Sequence, residues 1–370
     1  VIKNIDKEKY KKEIEELHQY QRKEETEEEL KCIPYLKTSE IQTEINHIKS
    51  EYLSVKNSEG KNIPLIFSKE KTNGLVYFNV AYPIDNIEPE KLVKIPLFTS
   101  ALGNLGWNGK PWDECISKIA CTMGDFTVRL KILNEIETSM AEGKTKNYPE
   151  KRLLGRVWIN FEIKCVIDKV KESLDLFSDI LSSMDFEDVK HFENIFIETK
   201  TSKKEGFVSN ASSYLTRRAL LEKNKYSRIS EIFFGITQFL YINKLTKKAV
   251  PTLLKEYKDI YKSIISQGGI LQLITDEDSL PIVIDLLPAF VSKINLTEIK
   301  EKIDFPLKRY DNCIYYPRKY DKKVRTEVIK VDTQSNYSIM TFLCSPFCTK
   351  EAAAEELLSN YLSGHQLWDK

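Results

Sequence analysis

Arg156-Val-Trp-Ile-Asn-Phe-Glu-Ile-Lys-Cys-Val-Ile167 is the stretch that decides the fold. Val157, Ile159, Phe161, Ile163, Cys165 and Ile167 alternate with Arg156, Trp158, Asn160, Glu162 and Lys164. A period of two sends the apolar set to one face of a β-strand and the polar set to the other. One face is therefore covered and the other at least partly wet, as in an antiparallel sheet with helices packed on one side. Helical spacing follows directly, with Val170, Leu174, Phe177 and Leu181 on one stripe and Val189, Phe192, Ile195 and Phe196 on the next. The fold class expected from this juxtaposition is α+β.

Working back toward the start, Phe126 to Ile132 reads as a strand and Pro111 to Thr122 as a helix. Leu92, Ile95, Phe98, Leu102 and Leu105 share one face of a helix over 88–105. Gly103, Gly106 and Gly109 have the spacing of a phosphate loop, but they follow a helix where a dinucleotide fingerprint follows a strand, so a helix stop is the better account. Ile63 to Phe67 and Leu75 to Tyr82, with Asn73-Gly74 between them, read as an antiparallel hairpin. Residues 5–30 are rich in Lys, Glu and Gln, with Tyr10, Ile14 and Leu17 as a narrow apolar stripe. They form a solvent-facing helix ended by Pro34, followed by a short helical or turn entry at Thr38-Ser39-Glu40.

Toward the other end, Ser209 to Leu245 is helical, 251–266 is a further helix, and Ile270 to Ile274 and Pro281 to Ile284 read as short strands before a helix over Leu286 to Ile294. A loop-rich passage from Asp304 to Lys323 is the best domain boundary. Beyond it Val324 to Val331 and Tyr337 to Leu343 read as strands. Lys350 to Trp368 reads as a helix with Ala353, Ala354, Leu357, Leu358 and Leu362 inward. Asn73 to Gly106 and Asn336 to Gly364 share the layout strand, loop, helix, which reads as a duplicated α+β unit with a truncated second copy; a chance likeness is the alternative.

The whole chain has 370 residues with 56 Lys+Arg against 55 Asp+Glu, a net charge of +1. That balance offers no global field to gather nucleic acid or an anionic membrane, and no run reaches the roughly 20 apolar residues of a membrane span. A soluble protein of about two domains is expected. The only histidines are His18, His47, His191 and His365, and none has a second histidine three or four residues away, so neither HExxH nor HxxEH is present. Seven cysteines, at positions 32, 115, 121, 165, 313, 344 and 348, lack the spacing of a disulfide framework and read as free, mostly buried thiols. Cys344 and Cys348 come nearest to a metal pair, but no second pair completes four ligands. Asp125 with Arg129, and Arg217 with Arg218, are isolated charged candidates for which salt-bridged structural roles are the better reading. The sequons at Asn210, Asn295 and Asn336 are discounted for want of evidence of secretion. Val1 is not methionine and Lys370 falls inside a helical pattern, so both ends read as cut.

Several segments, in order, resemble the presequence-protease branch of the pitrilysin and insulinase superfamily of zinc metallopeptidases. Cys32-Ile-Pro-Tyr-Leu-Lys-Thr-Ser-Glu-Ile41 is similar to the exit from that family's central helical hairpin. Thr72-Asn-Gly-Leu-Val-Tyr-Phe78 with Ile95-Pro-Leu-Phe-Thr-Ser-Ala-Leu-Gly-Asn-Leu-Gly106 resembles the opening of its third domain, and Asp168 to Phe186 the helix after that domain's long strand. Ser209-Asn-Ala-Ser-Ser-Tyr-Leu-Thr-Arg-Arg-Ala219, Phe234-Gly-Ile236 and Asp332-Thr-Gln-Ser-Asn-Tyr337 complete the run.

The resemblance implies four related α+β domains in two halves that close around peptide substrates, with zinc held in the first domain by an HxxEH helix and a distal glutamate. It also implies an arginine and a Gly-Ala-Tyr segment in the fourth domain that hold substrate, and no residue of this chain inherits that role. On this reading 1–50 is part of the interdomain hairpin linker, 51–310 a third-domain-like unit and 320–370 the truncated start of a fourth. The expected function is that of a non-catalytic carboxy-terminal-half segment of a zinc metalloendopeptidase, forming the chamber wall around unfolded peptides. The alternative is a segment of a catalytically inactive superfamily member acting as a binding or structural subunit. No catalytic, substrate-binding or metal-ligating residue is assigned in the chain, and zinc is expected in the parent enzyme alone. The expected partners are the amino-terminal half of the same polypeptide and peptide substrates, without nucleic acid or membrane. The expected compartment is the cytoplasm, with an organelle matrix as the alternative.

Overall fold

The computed structural model describes residues 7–23, 26–34, 36–42, 48–133, 155–315, 327–330, 336–342, 344–345 and 349–366. The chain divides into two compact units, Val1–Ile48 and Lys49–Lys370. The first holds helices α1 (Lys7–Arg22) and α2 (Glu27–Leu30), then a single 3-10 turn at Thr38–Glu40. Tyr10, Ile14, Leu17 and Tyr20 are exposed on α1, as a helix too polar to form a core of its own requires.

The second unit runs β1 (Ser50–Lys56), β2 (Asn62–Lys69), β3 (Leu75–Pro83), α3 (Pro89–Leu92), α4 (Ile95–Leu102), α5 (Trp112–Thr122), β4 (Asp125–Ile132) and β5 (Val157–Val166). It continues through α6 (Val170–Ser183), α7 (Val189–Ser209), α8 (Ala211–Leu220), α9 (Lys225–Phe234), α10 (Ile236–Lys244) and α11 (Val250–Ile265). β6 (Ile270–Thr275), α12 (Leu280–Lys293), α13 (Leu307–Cys313) and α14 (Lys350–Tyr361) complete it. The six strands form one sheet in the order β1-β2-β6-β3-β5-β4, antiparallel throughout except where β2 and β6 run parallel.

That order corrects the expected hairpin. β2 and β3 do not pair; β6 lies between them, with Phe67 opposite Leu273 on one side and Phe78 opposite Leu273 on the other. Asn73 and Gly74 still turn left-handed, at φ 54° and 78°, but the turn spans the width of an inserted strand. Asp276 holds it, accepting from Gly74 N at 2.9 Å, Thr72 Oγ1 at 3.2 Å and Ser279 N at 3.0 Å. Pro281 to Ile284 is helical, since Pro281 occupies the first turn of α12, where its missing N–H costs nothing. The passage from Asp304 contains α13, and the described residues of the two segments expected as strands beyond it, 327–330 and 336–342, carry no strand. A strand is stable only beside a partner, and these have none among the described residues. α14 and the π turn Leu362–Gln366 have no inward side: Leu357, Leu358 and Leu362 are exposed.

The core lies between the helices and the face formed by Ile63, Leu65, Phe67, Val76, Phe78, Val80, Ile159, Phe161, Leu271 and Leu273. Phe78 sits edge-on to Phe177 of α6 and Phe290 of α12, with centroids 6.2 and 5.2 Å away. Tyr82 and Phe161 pack edge-on at 5.9 Å, and Phe98 of α4 meets Tyr257 of α11 at 5.2 Å. Phe78 is the hub of this packing, and Phe78→Ala is expected to cost about 3–5 kcal/mol by urea denaturation.

The hydrogen bonds from Ser279, Gly74 and Thr72 hold the Asp276 carboxyl down at about 2. Its folded value lies below the ordinary carboxylate value, so its contribution is present above roughly pH 4 and is lost as pH falls through 2. Asp276→Ala is therefore expected to lower Tm at pH 7, and the gap from the parent chain should close between pH 4 and 2 in a thermal series.

Candidate functional site

The face of the sheet turned away from the helices is the candidate site. Alternation places Tyr77, Asn79 and Ala81 of β3, Ile270, Gln272 and Ile274 of β6, and Trp158, Asn160, Glu162 and Lys164 of β5 on it. Asp125, Thr127, Arg129 and Lys131 of β4 extend it to the edge. Apolar packing is confined to one corner, where Ile299 covers Ala81, Trp158 and Ile270. This explains why β5 is buried on both faces from Val157 to Phe161 and opens only at Glu162 and beyond.

The chain returns across that corner through the bond from Lys300 N to Gln267 O at 2.9 Å and the buried Arg156. Arg156 grips Asp85 with two bonds, Nε to Oδ1 at 2.8 Å and Nη2 to Oδ2 at 3.0 Å, and donates from Nη1 to Lys300 O at 3.0 Å. Asp85 Oδ2 also accepts from Ile303 N at 2.7 Å. The alternating pattern puts Arg156 on the wet side; the structure buries it because this pairing satisfies its donors. No spacing signal links Asp85, Arg156 and Lys300.

The open part of the face is polar but not empty of structure. Asn79 Nδ2 donates to Gln272 Oε1 at 3.1 Å across the β3–β6 ladder. Glu162 is ion-paired with both Arg129, Nε to Oε2 at 3.1 Å, and Lys131, Nζ to Oε1 at 3.0 Å. Tyr77 stands exposed between Lys164 and Ile274. The arrangement offers amide, hydroxyl, cationic and short apolar groups over several strands, with no nucleophile-base pair.

Of the charged candidates, Asp125 is exposed and Arg129 is in the ion pair above. Arg217 lies over the Phe234 ring at 5.8 Å. Arg218 is the centre of a buried knot far in sequence from the sheet. Its Nη1 reaches Glu231 Oε1 at 3.2 Å, Nε reaches Glu327 Oε2 at 2.7 Å, and Nη2 reaches Tyr315 O at 2.8 Å. Glu231 Oε1 also accepts from Thr237 N and Oγ1, at 3.0 and 3.1 Å, and burial raises its carboxyl above the ordinary range. A Cβ at Gly235 would fall inside the Glu231 carboxylate, so the glycine of Phe234-Gly-Ile236 is required by this knot.

Among the described residues no group of three or more His, Cys, Asp or Glu could hold a metal ion. His18 is exposed on α1. His191 is buried on α7, where its Nε2–H donates to Asn104 O at 2.8 Å and its ring stacks on Trp112 at 4.5 Å. His47 and Cys348 lie outside the described residues, as does the side chain of His365. Cys115 and Cys165 are buried, whereas Cys32, Cys121 and Cys344 are exposed, so the thiols are less buried than their spacing implied. The residues described do not fit a zinc site. No helix among them is long and apolar enough to cross a membrane.

Residues 2–245, well over half of the chain, match the model of a family described as associated with peptidase M16 of subfamily C. The chain belongs to that family. Its peptidase relatives include the mitochondrial presequence protease of Yarrowia lipolytica, 24% identical over 62% of this chain and 21% of that protein. The presequence protease of Saccharomyces cerevisiae is 22% identical over 93% of this chain and 33% of its own length. This peptidase-associated chain thus spans about a fifth to a third of the relatives it matches. Among solved structures, the peptidase M16 inactive domain from Pseudomonas fluorescens aligns at 11% identity and a TM-score of 0.42, covering 70% of this chain and 54% of that one.

Removing Arg218 strands a buried carboxylate, whereas neutralising Glu231 removes the charge that burial opposes. Arg218→Leu is therefore expected to cost about 3–5 kcal/mol in denaturant unfolding and Glu231→Gln much less. Equal costs would contradict the assignment of the penalty to the unpaired carboxylate.

Proposed function

We propose that this chain is a non-catalytic part of the carboxy-terminal half of a zinc metalloendopeptidase, and that the open sheet face lines the chamber that encloses unfolded peptides. In this reading 1–50 belongs to the interdomain hairpin, 51–310 is the third-domain-like unit, and 320–370 begins the next. The zinc and the chemistry on it reside in the amino-terminal half of the same polypeptide. The observation that carries the reading is a polar sheet face whose apolar cover, among the described residues of 49–370, is the corner at Ile299, in a chain of this peptidase-associated family.

The face suits that task physically. Backbone-like amides at Asn79 and Gln272, the Tyr77 hydroxyl and ring, and the Arg129–Glu162–Lys131 group can contact many peptide sequences without demanding one. A rigid sheet supplies those contacts at low entropic cost. Enclosure against such a wall excludes bulk water from the reacting site and limits substrates by size.

Two outcomes are expected of the 370-residue chain. An unfolded peptide bearing a benzophenone should label Tyr77, Asn79 or Gln272 when adducts are mapped by mass spectrometry. The chain should retain well under one equivalent of zinc after dialysis and cleave no fluorogenic peptide. Stoichiometric zinc with chelator-sensitive cleavage, or labelling confined to the helical side, would overturn the proposal.

A further inference from the structure

β4 ends the sheet, and its ladder shows which of its backbone groups are in use. Leu133 N donates to Arg156 O at 3.1 Å in the same register that sets Lys131 opposite Trp158, so the odd-numbered residues bond to β5. Alternation in an antiparallel ladder then turns the N–H and C=O of Phe126, Val128, Leu130 and Ile132 outward. Among the described residues no other backbone group pairs with them. Their side chains pack on the core while staying half-exposed. The inner flank is filled, and among the described residues no strand lies on the outer one.

An edge of this kind is a template for another strand, and charge on it decides which strand. Arg129 and Lys131 share the single carboxylate of Glu162, and Asp125 stands opposite Lys164, so β4 and β5 set three cations against two carboxylates on the open face. Self-pairing is disfavoured. An antiparallel pairing of two copies through all four outward residues sets the two Arg129 side chains directly opposite each other, and like charges so placed are destabilising. A strand with acidic side chains at those positions meets the reverse situation.

We propose that β4 is a docking edge for an extended polypeptide, added antiparallel as a seventh strand, whose side chains alternate between apolar and acidic. Its apolar residues pair with Phe126, Val128, Leu130 and Ile132 and cover their outer flank. Its acidic residues meet Arg129 and Lys131 on the open face. The seven positions from Phe126 to Ile132 fix about 24 Å of peptide at about 3.4 Å per residue. This inference rests on the reading of the open face as a wall for unfolded substrate, and adds to it a subsite directed by backbone hydrogen bonds.

The test uses a fluorescent heptapeptide alternating valine and glutamate, titrated into the 370-residue chain by anisotropy. In the proposed geometry the valine amides face β4 and the glutamate amides face away. Methylating the valine amide nitrogens should weaken binding about tenfold or more, whereas methylating those of glutamate should change it by no more than about twofold. Because these changes are in the ligand, folding of the protein is not at issue. Hydrogen exchange at Val128, Leu130 and Ile132 should slow on binding. Arg129→Glu together with Lys131→Glu should invert the preference toward a valine–lysine peptide.

Equal binding of the two methylated peptides, or unchanged exchange at those three amides, would refute the docking edge. Benzophenone labelling of Tyr77 or Gln272 without protection of β4 would remove this subsite and leave the chamber-wall reading in place. Protection of β4 without labelling of the open face would do the opposite.

Discussion

The insertion of β6 between β2 and β3 is the constraint on which the rest of the structure depends. Six residues, Ile270–Thr275, join the β1–β2 ribbon to the β3–β5–β4 strands, and among the described residues the two halves have no other strand contact in the sheet. The cost is closure of a loop of nearly two hundred residues, which grows slowly with length. What offsets it is burial: Leu271 and Leu273 are fully buried, and Phe67 and Phe78 flank Leu273 from the two sides. Burying such side chains contributes about 1.5–3 kcal/mol each.

Two faces with different duties follow. On the helix side, Phe78, Phe177 and Phe290 bring together β3, α6 and α12, elements widely separated along the chain. On the other side, strand alternation forces the intervening residues outward, and Ile299 covers only a corner of them. The Arg156–Asp85 pair locks that corner by holding 300–303 against the sheet end. The open remainder is therefore a consequence of the fold's topology, and no apolar packing among the described residues of this unit consumes it.

The long strand β5 was legible because its alternation spans ten residues on a single face boundary. The helical stripes around Phe177 and Phe192 were legible for the same reason at their own period. The place of β6 was not: Ile-Leu-Gln-Leu-Ile-Thr announces a strand, but pairing partners two hundred residues away leave no local mark. The Asn73-Gly74 turn pointed to a hairpin because turn chemistry reports backbone conformation and not which strands flank it. Arg218 was readable as a structural ion-pair residue, and the knot with Glu231 explains why Arg-Arg and Phe-Gly-Ile stand among the residues that carry the family resemblance. The open face itself could be inferred from the polar half of β5. Its corner cover could not, since Ile299 lies in a stretch without periodicity.

Native-state hydrogen exchange of the sheet amides tests the central claim most directly, because it measures whether the six strands open as one unit. The account predicts that amides of β2, β3 and β6 exchange only through a common opening, with a free energy equal to that of global unfolding. Exchange of β6 at a much lower free energy than β3 and β5, with those two still protected, would contradict it.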